Sequence, residues 1–181
     1  MIFKETPLKG AFEITLEPFS DERGLFARTF CKKEFSNIGF DAEFVQFNFS
    51  KNAYKGTIRG LHYQAPPFTE TKLIRCIRGK VYDIMVDLRI DSPSYMNYFG
   101  VELSEENMKM VLIPDGFAHG FQTLEDNSQL IYHHTAFYTP GYERGIRYND
   151  PELNIQWPLP VSIISEKDKN YPLISKTFKV E

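Results

Sequence analysis

The sequence has no excess of positive charge, and this absence limits the partners it can have. Its 181 residues carry 21 Lys and Arg against 24 Asp and Glu, a formal net charge of −3. Proteins that bind nucleic acid in bulk normally show a basic footprint. We therefore expect no nucleic-acid partner, and any anionic ligand must be met by a local cluster of Arg and Lys.

The sequence also lacks long apolar runs and paired cysteines. No stretch approaches the length of a membrane span, and the opening residues MIFKETPLKG lack the apolar core of a signal peptide. The two cysteines, Cys31 and Cys76, are far apart and form no CxxC motif, which leaves a disulfide framework and a zinc ribbon unsupported. Two unpaired thiols suit a reducing compartment, so we expect a cytoplasmic protein that does not associate with membranes.

Aromatic residues, by contrast, are abundant, at 15% of the chain with 16 Phe and ten Tyr. Aromatic side chains pack well on pleated surfaces and so favour a β-rich interior. The chain shows no internal repeat, low-complexity tract or linker, and we predict one domain over residues 1–181. Many short strands separated by Gly and Pro turns indicate an all-β sandwich or barrel with a few short helices.

Local patterns predict the individual elements. Arg78–Lys80 punctuates the clearest hairpin, and alternation after it predicts a half-buried strand with Asp83 and Asp87 on one face. A second pair of strands is predicted to meet across residues 126–128, and Ser165 resembles a helix cap. The predicted strands are Ala11–Glu17, Leu25–Phe30, Phe44–Phe49, the Leu73–Leu88 hairpin, Met110–Ile113, Phe117–Leu124 and Gln129–Phe137, with a turn at Phe19–Gly24 and a helix at Glu34–Gly39.

The stretch Gly56–Cys76 concentrates polar side chains among strand residues. It contains Arg59, His62, Gln64 and Lys72. A cation, an imidazole and an amide close together suggest an anionic substrate and a proton to be moved. The competing interpretation is a basic, partly exposed hairpin edge whose histidine only packs.

The four histidines, His62, His119, His133 and His134, allow two kinds of chemistry. His133 and His134 are adjacent and must point to opposite faces of a strand, with His134 on the face of Tyr132. A metal site would need His62, His119 and a carboxylate such as Glu70, but the second histidine of a His-x-His pair is missing, so we predict no metal.

Metal-free acid–base chemistry is the second kind. A histidine is the natural base near neutral pH, and Asp168 or Asp83 would fix its tautomer. Tyr132 or Tyr138 would return a proton from another direction. Lys72 would stabilise a developing oxyanion, while Arg59 would hold a phosphate. The simpler role for Asp168 is as the acidic partner of the cap at Ser165.

Eight segments, taken together, resemble a known family. The segments are Asp21–Gly24, Phe44–Gln46, Gly56–Gln64, Lys72–Gly79, Val86–Arg89, Ile113–Phe121, Glu143–Arg147 and Ser165–Asp168. In this order and spacing the chain resembles the dTDP-4-dehydrorhamnose 3,5-epimerases, metal-free cupins of nucleotide-sugar biosynthesis. The resemblance implies an all-β cupin jelly roll (double-stranded β-helix) and a homodimer in which an N-terminal strand is exchanged with the partner.

The resemblance also implies a role for each of several residues in an epimerisation that proceeds through an enolate. His62 would be the general base, paired with Asp168, and Tyr132 the general acid. Lys72 would stabilise the enolate oxygen, and no cofactor is needed. The substrate would be a nucleotide-diphosphate sugar. The binding residues implied are Arg59 and Arg23 at the pyrophosphate or nucleotide, Arg23 from the other subunit, His119 beside the sugar or phosphates, Tyr138 stacked on the base, and Gln46, Asn48 and Glu143.

Two positions depart from the family pattern. Arg28 stands where a glutamate is usual, and Phe47 stands between Gln46 and Asn48 where an aspartate is usual. A guanidinium reverses what a base edge can bind, so we hypothesise that Arg28 contacts an altered nucleotide or sugar, with a GDP-linked 4-keto-heptose of capsule synthesis as a candidate. The sequence is also compatible with epimerisation at C3 only, with a sugar-nucleotide-binding cupin without turnover, and with a metal-dependent cupin oxygenase.

Overall fold

The computed structural model describes residues 1–174, which form two β-sheets that face each other. The strands are β1 (Ile2–Glu5), β2 (Phe12–Thr15), β3 (Phe19–Asp21), β4 (Gly24–Phe26), β5 (Gln46–Asn52), β6 (Ile58–Gln64), β7 (Lys72–Arg78), β8 (Lys80–Asp87), β9 (Tyr98–Ser104), β10 (Lys109–Ile113), β11 (Phe117–Thr123), β12 (Ser128–His134) and β13 (Glu143–Gly145). Two short helices, α1 (Lys32–Ser36) and α2 (Glu166–Lys169), complete the described elements.

The strand order within each sheet is that of a jelly roll. One sheet has the order β1-β2-β10-β7-β12-β5, and the facing sheet has the order β13-β6-β11-β8-β9. The pairs within both sheets are antiparallel, and strands that follow each other in sequence mostly lie in different sheets. The predicted all-β jelly roll with a few short helices is therefore confirmed. One domain over residues 1–181 stays a prediction, and residues 175–181 lie outside the described part.

Both predicted hairpins are wrong in their pairing, although their strands exist. β7 pairs with β10 and β12, whereas β8 pairs with β9 and β11 in the opposite sheet. Likewise β11 and β12, predicted to pair, lie in opposite sheets. The turn at Gly79, with φ at +68°, carries the chain across the sandwich. Turn residues predict where a strand ends, but a crossing and a hairpin have similar turn composition.

Strand β8 is buried on both faces, which corrects the half-buried prediction. Its inner face packs Val81 and Met85 into the core between the sheets. Its outer face packs Ile84 and Val86 under the C-terminal segment, whose Leu153 contacts them in a second cluster. The aspartates of the strand are consequently buried as well, with Asp83 and Asp87 both at 0% exposure.

The N-terminal region differs from prediction in its details. The predicted turn at Phe19–Gly24 is itself a hairpin of β3 and β4, which pairs with neither large sheet. The strand predicted to reach Phe30 ends at Phe26, and the helix predicted from Glu34 begins at Lys32. Within residues 1–174, no helix has the length and apolarity that crossing a membrane requires.

The inner faces of the strands change from apolar to polar along their length, and this change positions the site. Leu130 of β12 lies opposite Cys76 of β7 at one end, where both belong to the core. At the other end of the same strand pair, His134 lies opposite Lys72. Because side chains alternate in a strand, the polar ends of both sheets project into one space between them.

Candidate active site

A cavity of about 310 Å³ opens between the polar ends of the two sheets. Its two walls carry different chemistry: one sheet contributes His62 and His119, and the other contributes Tyr132 and Lys72. Of the residues predicted for a site, the cavity brings together His62, Lys72, Tyr132, Asn48, Arg59, His119, Tyr138 and Glu143. Asp168 lies directly behind His62, and Gln46 lines an adjoining pocket.

A β-bulge in β6 brings Arg59 and His62 to the same wall. In a regular strand, residues three apart point to opposite faces. Here His62 lies opposite His119 while Arg59 lies opposite Phe121, so three steps on β6 match two on β11. Gly60, at φ +116°, accommodates the bulge in a conformation that favours glycine.

His62 is held by Asp168, and the predicted pair is present. The ring Nε2 lies 2.8 Å from Asp168 Oδ1, while Oδ2 accepts the backbone N–H of Gly60 at 3.1 Å. Burial alone raises the pKa of Asp168, but the hydrogen bond and charge of His62 outweigh it, and the pKa is lowered. The carboxylate therefore stays ionised and fixes the ring. His62 Nδ1 makes no hydrogen bond within residues 1–174.

Asp168 also takes part in the cap predicted at Ser165. Its backbone N–H donates to Ser165 Oγ at 3.0 Å and starts α2. The carboxylate, however, does not close a capping box but turns to His62 and Gly60. The cap at Ser165 is therefore present, but the predicted role of the Asp168 carboxylate as its acidic partner is wrong.

A second histidine–carboxylate pair lies beside the first. His119 Nε2 is 2.9 Å from Asp83 Oδ2, and His119 is nearly buried. Burial lowers the pKa of His119 and raises that of Asp83, so it disfavours the charged form of each group. Among residues 1–174 no three His, Cys, Asp or Glu side chains group as metal ligands, and Glu70 pairs with His134 rather than with His62 or His119.

Tyr132 stands on the wall opposite His62. Its hydroxyl lies 3.0 Å from Ser50 Oγ, and its ring is 6.4 Å from the ring of His119 between centroids. Burial strongly raises the pKa of Tyr132, so the phenol stays protonated over the working pH range. A proton donor on one wall therefore faces an imidazole on the other.

Lys72 and Arg59 supply the positive charge of the cavity. The Lys72 ammonium is nearly buried and lies 3.3 Å from both the His62 carbonyl and Glu70 Oε1. Arg59 Nε donates to Asn52 Oδ1 at 2.6 Å, which fixes the guanidinium at the wall. Both cations are thus oriented before any ligand binds.

The remaining predicted residues fall into two groups. Gln46, Asn48 and Tyr138 form a hydrogen-bonded rim at the mouth, and Glu143 pairs with Lys167 at another edge. Two predicted binding residues lie outside the cavity of their own chain. Arg23 is paired with Asp21 at the exposed tip of the β3–β4 hairpin, and Arg28 is paired with Glu34.

Sequence reasoning missed several side chains of the site. Ser50 and Asn52 hold Tyr132 and Arg59, and both follow Asn48 on the same face of β5 at steps of two. That alternation is visible in the sequence and identifies them once Asn48 is placed. Tyr171, whose ring lies edge-on to His62 at 5.7 Å, gives no such signal because it lies in an irregular segment.

Comparison with known proteins identifies similar sequences and structures. The family model described as dTDP-4-dehydrorhamnose 3,5-epimerase matches residues 5–176. An enzyme of that name from Shigella flexneri is 46% identical over 153 residues, which are 84% of each chain. A more distant relative from Streptomyces niveus, 34% identical over 93% of this chain and 82% of its own, is named a dTDP-4-dehydrorhamnose 3-epimerase.

Two solved structures with bound ligands are similar over nearly the whole chain. The dTDP-4-dehydrorhamnose 3,5-epimerase of Bacillus anthracis, with TDP and pyrophosphate bound, has a TM-score of 0.93 and 40% identity over 96% of this chain and 99% of its own. The dTDP-6-deoxy-D-glucose-3,5-epimerase of Legionella pneumophila, in complex with dTDP-4-keto-L-rhamnose, has a TM-score of 0.90 and 39% identity over 95% and 92% of the two chains.

The lowered pKa of Asp168 predicts a pH-dependent loss of stability in Asp168→Asn. A depressed carboxyl pKa stabilises the fold above the unfolded value, about 3.9, and this contribution is lost as pH falls through the folded pKa. We expect the variant to lower the free energy of unfolding by about 1–3 kcal/mol at pH 7, with the difference shrinking toward pH 3. Urea denaturation across this range measures it.

The control is Asp91→Asn, which changes an exposed aspartate in a turn. It should alter the unfolding free energy little at either end of the range. A difference between wild type and Asp168→Asn that is the same at pH 3 and pH 7 would contradict the ionised pair.

Proposed function

Because the chain belongs to the dTDP-4-dehydrorhamnose 3,5-epimerase family and is thus an isomerase, we propose that it inverts C3 and C5 of a dTDP-linked 4-keto-6-deoxy-hexose. The observation that carries the proposal is the opposition of His62 and Tyr132 on the two walls of one cavity. Inversion requires a base on one face of a carbon and an acid on the other. The two sheets supply these groups from opposite sides.

His62 is the base in this proposal. C3 and C5 flank the C4 ketone, so loss of either proton gives an enolate. Asp168 holds Nε2 and leaves Nδ1 to take the proton. The ionised carboxylate then stabilises the imidazolium that forms, as expected for a carboxylate that orients a catalytic histidine.

Lys72 is the group that meets the enolate oxygen. Negative charge develops at the C4 oxygen in the transition state, and a fixed cation there lowers the barrier. The ammonium is already oriented by Glu70 and the His62 carbonyl. His119, held by Asp83, lines the same cavity and adjoins the sugar in this proposal.

Tyr132 completes each inversion by donating its hydroxyl proton to the carbon from the face opposite His62. Its protonated state at neutral pH follows from the pKa raised by burial. The phenolate then regains a proton from solvent, and the His62 imidazolium releases its proton to solvent. The step moves protons only, so atoms and electrons balance without an oxidant or reductant.

We propose dTDP as the nucleotide, bound by Arg59 at the pyrophosphate and by Gln46, Asn48 and Tyr138 at the mouth. Glu143 borders the same cavity. The relatives from Shigella, Streptomyces, Bacillus and Legionella carry dTDP or TDP in their names, which gives no support to a GDP-linked heptose or a role in capsule synthesis. Arg28 pairs with Glu34, so its guanidinium charge is already balanced within the chain.

We further propose a homodimer that brings Arg23 to the partner's cavity. The β3–β4 hairpin packs on neither sheet and leaves Phe26 78% exposed, which a two-stranded ribbon alone does not sustain in water. Edge strand β5 exposes Phe47. On the same sheet, the buried Arg75 Nε has no hydrogen-bond partner among residues 1–174. A second copy of the chain would cover both the β3–β4 hairpin and the exposed edge of β5. The unpaired thiols of Cys31 and Cys76 suit a cytoplasmic location for this dimer.

Incubation with a dTDP-4-keto-6-deoxy-hexose in heavy water tests the reaction, because each inverted carbon gains one deuterium from solvent. We expect label at both C3 and C5 by mass spectrometry. Label at C3 alone would favour a 3-epimerase, and no label would favour a binding protein without turnover. His62→Asn should lower exchange at both carbons by about 10³-fold.

In the same assay, Tyr132→Phe should impair inversion more than the first loss of a proton. The matched control is Tyr54→Phe, which removes an exposed hydroxyl from a residue outside the cavity lining. Turnover of Tyr132→Phe equal to that of Tyr54→Phe would remove Tyr132 from the mechanism.

Calorimetric titration of the protein with dTDP and with GDP tests the nucleotide. We expect dTDP to bind at least about tenfold more tightly, which corresponds to about 1.4 kcal/mol. Equal or tighter binding of GDP would contradict the proposal. It would favour the hypothesis that Arg28 contacts the base of an altered nucleotide.

Mixing two inactive variants tests the exchange of Arg23 between subunits. A heterodimer of Arg23→Ala and His62→Asn holds one site with His62 and Arg23 both intact, if Arg23 acts on the partner's cavity. Random mixing makes about half of the dimers hybrid, so about a quarter of wild-type activity should return. No recovery in verified heterodimers would show that Arg23 does not act across the interface.

A further inference from the structure

Glu70 and His134 form a buried cluster with Lys72, and the proposed reaction gives neither of them a chemical step of its own. Glu70 Oε1 lies 3.3 Å from Lys72 Nζ, and Glu70 Oε2 lies 2.7 Å from His134 Nδ1. The three side chains are only 8–10% exposed. One carboxylate therefore bridges the cavity's ammonium and a histidine that comes from the neighbouring strand.

The direction of every hydrogen bond leading to this histidine is fixed by one backbone group. The N–H of Tyr138 can only donate, and it does so to Gln46 Oε1 at 2.9 Å. The Gln46 amide must then donate from Nε2 to Asn48 Oδ1, at 3.2 Å. Asn48 in turn donates from Nδ2 to His134 Nε2, also at 3.2 Å. His134 therefore accepts at Nε2 and carries its proton on Nδ1, which donates to Glu70.

This chain of hydrogen bonds determines the charge of His134. A histidine that accepts at Nε2 is neutral, so it balances no part of the carboxylate's charge. Burial raises the pKa of Glu70, but the hydrogen bond from His134 and the charge of Lys72 outweigh it, and the pKa is lowered. Glu70 is consequently an ionised counter-ion whose only full positive partner among residues 1–174 is Lys72.

We propose that Glu70 and His134 are positioning residues for Lys72. The ionised Glu70 fixes the ammonium where the substrate's ketone oxygen gains charge, and the Nδ1–H tautomer of His134 fixes Glu70. The inference rests on the proposed function, because it concerns how Lys72 meets the enolate. A lysine has a long side chain with many rotamers, and misplacement by about 1 Å costs up to about 100-fold in rate.

The kinetic test uses Glu70→Gln, which keeps the size and an acceptor for His134 but removes the charge. We expect kcat to fall by about 10- to 100-fold while KM stays within about twofold, because substrate binding does not depend on Lys72 alone. The matched control is Glu13→Gln, which breaks a similar Glu–Lys pair at 2.9 Å to Lys109, outside the cavity lining. It should leave kcat and KM unchanged.

Two variants of His134 separate positioning from packing. His134→Asn keeps a side-chain N–H close to the position of Nδ1 and should retain kcat within about threefold. His134→Leu keeps apolar volume without a donor, and its kcat should fall as far as that of Glu70→Gln. Equal kcat in the two variants would assign His134 to packing and overturn its part in the proposal.

A measurement without substrate tests the hydrogen-bond chain independently. The four imidazoles give separate nitrogen–proton correlations by NMR, and His134 is identified by its loss in His134→Asn. We expect the neutral Nδ1–H pattern at pH 7. An Nε2–H tautomer or an imidazolium would overturn the inference, even if Glu70→Gln fails to fold.

The two levels of the proposal fail differently. Wild-type protein that labels neither carbon in heavy water would refute the proposed function. Wild-type turnover with unchanged kcat in Glu70→Gln, or a raised KM at constant kcat, would refute only the positioning role.

Discussion

The alternation of side chains along each β-strand, applied across two facing sheets, is the constraint on which the site depends. Every inward position must either fill the core or line the cavity. β7 and β12 change from apolar to polar at matched positions, from Cys76 and Leu130 to Lys72 and His134. The apolar end holds the sheets together, and the polar end stays open between them. Core and site are therefore two ends of the same strands.

Burial gives these polar groups their chemical character. A buried cavity wall favours the protonated phenol of Tyr132 and the neutral form of His119. It tolerates ionised groups only where they are paired, as in Asp168 with His62 and Glu70 with Lys72. The site thus separates groups that must stay neutral from groups that must stay charged, by the number and kind of their neighbours.

The sequence predicted the strands and most of the cavity residues, but not which strands pair. Period-two patterns identified β8 and β12, and the family resemblance named His62, Lys72, Tyr132 and Asp168. The predicted pairing of β7 with β8 was wrong because turn composition at Gly79 does not distinguish a hairpin from a crossing between sheets. The bulge in β6 was equally invisible, since an extra residue in a strand changes the register without changing composition. Arg23 and Arg28 lie outside the cavity, where they pair with Asp21 and Glu34.

The contact between His62 and Asp168 joins residues 106 positions apart, and the second of them follows every described strand. During synthesis from the N-terminus, all thirteen described strands leave the ribosome before Asp168 does. A nascent chain can therefore close its sandwich while the imidazole still lacks its carboxylate. The His62–Asp168 pair is therefore completed only after the strands that position His62 have been made.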